Sequence, residues 1–285
     1  MHLFELVPNL SEGRNEETIR RAAEAVEATG ARVLDRSSDA AHHRSVITIV
    51  GEATKLVEAA VALAHVALER IDLRTHSGLH PRIGALDVLP FIPLGDAPMA
   101  EAVALARAAA QAIWEREGIP SFLYGEAALI PERRLLANAR RDGFEGLHAR
   151  FAREDRPDIG DIAAHPSAGA IAVGAREILV AWNIELESED LAAGKAIAAE
   201  LRERDGGLPG IRALAFRLAN GRVQLSFNIT QYRATSPLRL RHAAAAAAEK
   251  RRIALGASEL IGLLPRAALD DAVAAFFLLD DLYGS

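Results

Sequence analysis

The sequence predicts an α+β fold built from two halves, each a sheet of the split βαβ, ferredoxin-like kind with helices laid on it. Three observations carry this. Short β-branched runs alternate with long Ala- and Leu-rich helical stretches. Pairs of adjacent strand candidates sit in the middle of each half. The rhythm then repeats after an Arg- and Asp-rich interruption. The halves are placed at residues 1–170 and 171–285. A doubly wound parallel sheet is the alternative.

Leu3–Val7 is a strand candidate that ends at Pro8, with Asn9, Ser11 and Gly13 supplying turn chemistry. Glu16–Thr29 is helical and closed by Gly30; Arg32–Leu34 and Ser45–Val50 are strands. Glu52–Glu69 is a helix, Leu86–Ile92 a strand, Met99–Glu117 a helix and Ser121–Tyr124 a short strand. Pro131–Asp158 reads as a helical connector. In the second half Ala170–Val173 and Ile178–Glu185 are strands and Asp190–Arg204 is a helix. Ile211–Leu218 and Arg222–Ile229 form a hairpin about Asn220-Gly221, a strong turn dipeptide. Leu238–Leu255 and Pro265–Leu282 are the last helices.

The chain has 285 residues, a net charge of −6, 5% aromatics and no cysteine. The acidic balance weakens a nucleic-acid reading. The absent cysteines exclude a thiolate nucleophile, disulfides and a sulfur-built zinc site. The most apolar late run, AVAAFFLL, is far shorter than the about 20 residues a membrane span needs, and no signal peptide is visible. A soluble, cytoplasmic protein with no membrane or nucleic-acid partner is expected. Dinucleotide, phosphate-loop, zinc-protease and serine-hydrolase signatures are missing.

Chemistry concentrates in THSGLHPRIGALDV at residues 75–88. His76 and His80 have helical metal-ligand spacing, but Gly78 and Pro81 disfavour a helix, so no metal is expected. A histidine tuned near neutrality beside Arg82 can move protons at pH 7. Gly78 and Gly84 are expected to admit a ligand close to the backbone. Asp39 and His42-His43-Arg44 precede a strand, where a plain polar turn is the simpler reading. In VPNLSEGRN, Ser11 either caps the next helix or lines a site. GDIAAHPSAG, residues 160–169, reads equally as a linker or a cleft segment between the halves.

Taken together, VPNLSEGRN, SDAAHHRSVITIVG, HSGLHPRIGALDVLPFIP, YGEAA, PDIGDIAAHPSAGAIAVGAREILVAWNIEL, GGLPGIRAL, QLSFNIT and SELIGLLP resemble the formiminotransferase family. The matches run in order from residue 7 to about residue 265. The resemblance implies two subdomains with facing sheets and a folate groove between them. It implies transfer of a formimino group from N-formimino-L-glutamate to tetrahydrofolate as co-substrate, with no metal. The family's catalytic histidine falls on His80. Arg44, Arg82, Asp39 and His43 become substrate-binding candidates. The folate-contacting segment falls on Gly160, Asp161, Ile162, Ala163, Ala164, His165, Pro166, Ser167, Ala168 and Gly169. His43 stands where asparagine is frequent, and Asp161 where proline is usual. A homodimer is implied, and a separate cyclodeaminase would have to take the product. A formiminoglutamate hydrolase and a non-catalytic folate-binding module are the competing readings. Dependence on tetrahydrofolate separates the first, and turnover the second.

Overall fold

The first strand is interrupted rather than ended by its proline. β1 (Leu3–Leu6) and β2 (Asn9–Leu10) flank Val7-Pro8 and lie in line between the same two neighbours. Pro8 has no N–H to give, but its carbonyl accepts from Ile47 N at 3.2 Å. The turn expected at Asn9 is therefore a resumed strand. The structure, a computed structural model, describes residues 2–276 except Ala41, Leu79, His80, Glu154 and Ile162.

The chain divides into two compact units, Met1–Glu177 and Ile178–Ser285. In the first, α1 (Glu16–Ala28), β3 (Arg32–Asp39), β4 (Arg44–Glu52), α2 (Ala53–Arg70) and β5 (Leu86–Pro93) follow β2. Asn15 starts α1 by accepting from Thr18 N at 3.2 Å, so Ser11 is not its cap. α3 (Met99–Glu117), β6 (Ser121–Gly125), α4 (Leu136–Ala139), α5 (Gly143–Ala152) and β7 (Ile171–Ala175) complete the unit. Across the sheet the order is β3, β4, β1 with β2, β5, β7, β6. The first four positions are antiparallel, which is the ferredoxin-like order, while β5, β7 and β6 run parallel. β7 is paired on both sides within this sheet, so the first unit runs past residue 170.

One face of the sheet carries α1, α2 and α3. Phe4, Leu6, Ile47, Ile49, Leu89 and Phe91 pack there with residues of these helices such as Leu56, Leu63, Ala106 and Ile113. The other face of the parallel part is covered too. Val88, Phe122, Tyr124 and Ala172 pack with Ala139, Leu147 and Phe151 of α4 and α5. Parallel strands need cover on both faces, and the Arg-rich connector supplies it. Its key is Arg150, 1% exposed, whose guanidinium lies 3.8 Å from the Phe122 ring centroid. Arg150 donates to Asp155 Oδ2 at 2.8 Å and to the Ala139 carbonyl at 2.7 Å.

The second unit is β8 (Val180–Leu186), α6 (Leu191–Leu201), β9 (Ile211–Arg217), β10 (Val223–Ile229), α7 (Pro237–Glu249), β11 (Leu255–Ile261) and α8 (Asp270–Phe276). Its four strands are antiparallel in the order β11, β8, β10, β9, again ferredoxin-like. Val180, Ile184, Leu225 and Phe227 form its core with Ile197, Leu240 and Ala244. The helix predicted over Leu238–Leu255 stops at Glu249. Arg252 takes a left-handed φ of 56°, and Ile253 N returns to the Ala248 carbonyl at 3.0 Å. That frees Leu255–Ile261 to complete the sheet as β11.

Replacing Arg150 by Met should cost about 3 kcal/mol in urea unfolding, because Asp155 and the Ala139 carbonyl lose a buried partner. An unchanged urea midpoint would show that the apolar contacts alone hold the connector.

Candidate active site

Two of the motif-bearing segments are stitched to each other. Gly84 and Gly169 form an antiparallel bridge, flanked by Ala85 N to the Ala168 carbonyl at 2.9 Å and Ala170 N to the Ile83 carbonyl at 3.0 Å. Both positions need glycine for space. A Cβ on Gly84 would sit 2.1 Å from the Ala170 carbonyl oxygen, and one on Gly169 2.1 Å from that of Ile83. Gly169 also has a left-handed φ of 72°. A Cβ on Gly78 would meet the His42 carbonyl at 2.6 Å. The space over Gly78 and Gly84, expected for a ligand, is filled by protein backbone.

The third motif docks on the same crossing. Ser11 N donates to the Ala85 carbonyl at 2.8 Å, and its hydroxyl to the Gly84 carbonyl at 2.7 Å. Glu12, 9% exposed, accepts from Arg14 N at 2.7 Å and Asn15 N at 2.9 Å. The Ser45 hydroxyl donates to the Glu12 carbonyl, which ties this loop to the start of β4. A small cavity results, lined by Leu10, Ser11, His42, His43, Arg44, His76, Arg82 and Asp87.

Two histidine rings meet in it, His43 and His76, with centroids 4.2 Å apart and planes tilted by 33°. Hydrogen bonding assigns their tautomers. Gly13 N donates to His43 Nδ1 at 3.1 Å, so the His43 proton belongs on Nε2. Glu12 Oε1 is 3.4 Å from the same nitrogen, too far to compete. His76 Nε2 faces the His43 carbonyl at 3.2 Å and must donate. Its Nδ1 then presents a buried lone pair with no partner among the described residues. Burial lowers both imidazoles from their usual value, with Glu12 opposing the shift. Each ring is therefore neutral at pH 7.

Guanidinium groups surround the rings. Arg82 Nη2 donates to the His76 carbonyl at 3.1 Å and to Glu145 Oε1 at 2.9 Å. Asp87, 2% exposed, accepts from Ile83 N at 2.8 Å, and its other oxygen lies 3.0 Å from Arg140 Nη2. Burial raises the Asp87 carboxyl; Arg140, the Ile83 N–H and Arg44 oppose it. Desolvation lowers Arg44 to about 10, with Asp87 opposing, so Arg44 stays charged at pH 7. Asp87 thus feels the positive charge of both Arg140 and Arg44.

The formiminotransferase domain, N-terminal subdomain, matches residues 3–176, and the formiminotransferase domain matches residues 181–282. The chain belongs to the formiminotransferase family. It is 40% identical over 283 residues to the glutamate formimidoyltransferase of Thermoplasma acidophilum, with 98% of this chain and 93% of that protein covered. It is 38% identical over 282 residues to that of Streptococcus pyogenes, covering 98% of this chain and 94% of the other. The rat formimidoyltransferase-cyclodeaminase is 37% identical over 284 residues. There 96% of this chain is covered, and the chain spans about half, 52%, of the relative.

Within this formiminotransferase-family chain, the structure brings His43, Arg44 and Arg82 to one cavity. Asp39 lies at the end of β3 and pairs with His42, its Oδ2 2.7 Å from Nδ1. His80 and Ile162 lie outside the described residues. In the 160–169 segment, Gly160, Asp161, Ala163 and Pro166 are exposed and Ala164 is half-buried, while Ala168 and Gly169 are buried at the crossing. His165 Nδ1 accepts from Ala168 N at 3.1 Å, and Ser167 accepts from Leu73 N at 2.9 Å through its carbonyl. Arg140 and Glu12 are the contributors that motif reading misses, whereas Ser11 lines the cavity, the second of its two readings. Glu12 and Ser11 sit inside a quoted motif, but Arg140 carries no local signal in a connector full of arginines. Among the described residues no group of three or more His, Cys, Asp or Glu could hold a metal ion, and no helix is long and apolar enough to cross a membrane.

Gly169→Ala should cost at least about 2 kcal/mol in urea unfolding, since carbonyl oxygen occupies the Cβ position. Gly95→Ala, with open space over it, should cost about 1 kcal/mol or less. Equal losses would refute the packing argument.

The folded-state pKa values of His43, His76 and His165 are lowered. Their stabilising contribution is thus complete above the unfolded value of about 6.5 and lost as pH falls through the folded values. Scanning calorimetry from pH 7.5 to 5.5 should show a falling Tm, with a shallower fall in His76→Gln, which keeps a donor for the His43 carbonyl.

Proposed function

We propose that the protein transfers the formimino group of N-formimino-L-glutamate to N5 of tetrahydrofolate, giving 5-formiminotetrahydrofolate and L-glutamate. The observation that carries this reading is the match to both parts of the formiminotransferase domain, together with curated relatives named glutamate formimidoyltransferase that are spanned almost end to end. The site chemistry supports it. Both substrates carry carboxylates, and the cavity is lined by the guanidinium groups of Arg44 and Arg82 beside two neutral imidazoles.

The pterin N5 attacks the formimino carbon, forming a C–N bond and a tetrahedral intermediate. The proton leaves N5, a proton reaches the glutamate nitrogen, and the C–N bond to glutamate breaks. One group that serves first as base and then as acid can carry both transfers, contributing about 10²–10⁴-fold. His80 is that group. It precedes Pro81-Arg82, so the loop pinned by the Gly84 crossing and by Asp87 carries it. Arg44 and Arg82 anchor carboxylates, for which a planar guanidinium can make two parallel hydrogen bonds. The 160–169 segment contacts the folate, with Ala168 and Gly169 fixed at the crossing.

The test is a single incubation of the protein with tetrahydrofolate and N-formimino-L-glutamate. Formimino transfer should depend on both. Release of ammonia or formamide without tetrahydrofolate would establish a hydrolase instead, and folate binding without turnover a binding module. His80→Ala should keep folate binding and the wild-type Tm while kcat falls by about 10²-fold or more. Wild-type turnover by that variant would remove His80 from the mechanism.

A further inference from the structure

The acid–base reading of His80 leaves the connector after β6 without a role beyond covering the sheet, yet one corner of it touches the active loop. That corner, residues 140–145, joins α4 to α5. Arg140 Nη2 donates to the Pro81 carbonyl. Phe144 N donates to the Arg82 carbonyl at 2.7 Å. Glu145 Oε1 accepts from the Arg82 side chain at 2.9 Å. From the opposite side, buried Asp87 accepts from Ile83 N at 2.8 Å and holds Arg140 at 3.0 Å. The carbonyls of residues 81 and 82 and the N–H of residue 83 are thus all held by Asp87 and this corner.

We propose that the α4–α5 corner is the positioning device of the catalytic loop, with Arg140 and Asp87 as its positioning residues. The ferredoxin-like sheet does not require this connector, whose bulk packs on the face opposite α1–α3. Arg140 is almost enclosed, with 13% of its side chain exposed, and bonds to the chain one residue after His80. Asp87 alone would be a buried charge near the loop. With Arg140 it becomes a bridge that fixes the loop's backbone to the core and to the connector at once. A backbone held this way fixes residues 81–83, and small misplacements at a reacting centre cost as much as about 10²-fold in rate. The inference rests on the His80 reading for its kinetic consequence, but not for the clamp itself.

The experiment compares Arg140→Gln, Arg140→Lys, Glu145→Ala and His80→Ala with the wild type by steady-state kinetics and by amide hydrogen exchange. Arg140→Gln should lower kcat about tenfold or more, with KM for tetrahydrofolate and formiminoglutamate within about threefold. Exchange at the Ile83 amide should accelerate, while that of Phe227 in the second unit stays unchanged. Arg140→Lys should recover part of kcat. Glu145, 67% exposed on its side chain, can be removed without a buried vacancy. Glu145→Ala should show a smaller loss of kcat with the same pattern, and it decides the matter if Arg140→Gln does not fold. Wild-type kcat in the folded variants, or a fall in kcat with unaltered Ile83 exchange, overturns the proposal. If His80→Ala turns over normally while Arg140→Gln is slow and exchanges fast, the clamp stands and the role of His80 fails. If His80→Ala is inactive and Arg140→Gln behaves as wild type, the clamp alone fails.

Discussion

The backbone crossing at Gly84 and Gly169 is the constraint on which the site depends. Two carbonyl oxygens occupy the places where side chains would begin, so the segments after His80 and after His165 lie closer than any other residue pair would permit. Ser11 adds a third strand of chain by bonding both to Gly84 and to Ala85. Leu73 N reaches the Ser167 carbonyl from a fourth. Backbone groups that satisfy one another here leave side chains free for chemistry, and almost no soft contact remains to absorb a displacement.

The electrostatics follow from that compactness. Burial penalises charge on both imidazoles, and the hydrogen bond that His43 Nδ1 accepts from Gly13 N fits only the neutral ring. The same burial lowers Arg44 only to about 10, so it remains a cation at pH 7, and Arg140 Nη2 lies 3.0 Å from the Asp87 carboxylate. The cavity is polar, with Arg44, Arg82 and Asp87 in its lining, and the His76 Nδ1 lone pair has no partner among the described residues.

The connector between β6 and β7 joins fold and site. Arg150 lies against Phe122 and pairs with Asp155, which also binds Arg133 at 2.6 Å and Arg141 at 2.6 Å. These pairs keep α4 and α5 on the second face of the parallel strands. A segment whose composition looks like a solvated linker is in fact partly core, because the guanidinium groups of Arg133 and Arg150 lie over the Phe122 ring while they pair with Asp155. The corner of this segment then reaches the active loop.

Much of the local structure was legible in the sequence. α3 spans Met99–Glu117 as its pattern predicts, and α1, α2, β5 and β10 differ from prediction only at their ends. Periodicity and turn chemistry act over a few residues, so a linear reading captures them. The motif loops were legible too, as clusters of histidine, arginine and glycine. Their partners were not. Nothing near Asp87 names Arg140, nothing near Gly84 names Gly169, and Pro8 hides the resumed strand at Asn9–Leu10. The predicted α7 runs too long because six alanines carry no stop signal, whereas the chain turns at Arg252 and spends Leu255–Ile261 on the fourth strand of the sheet. The sequence by itself determined the ferredoxin-like halves, the absence of cysteine chemistry and the loops that hold the titratable groups. Only the tertiary structure decided which backbones touch, which rings stay neutral and which arginine faces the buried aspartate. Those are set by pairings between residues far apart in the chain, and by the loss of water when they meet.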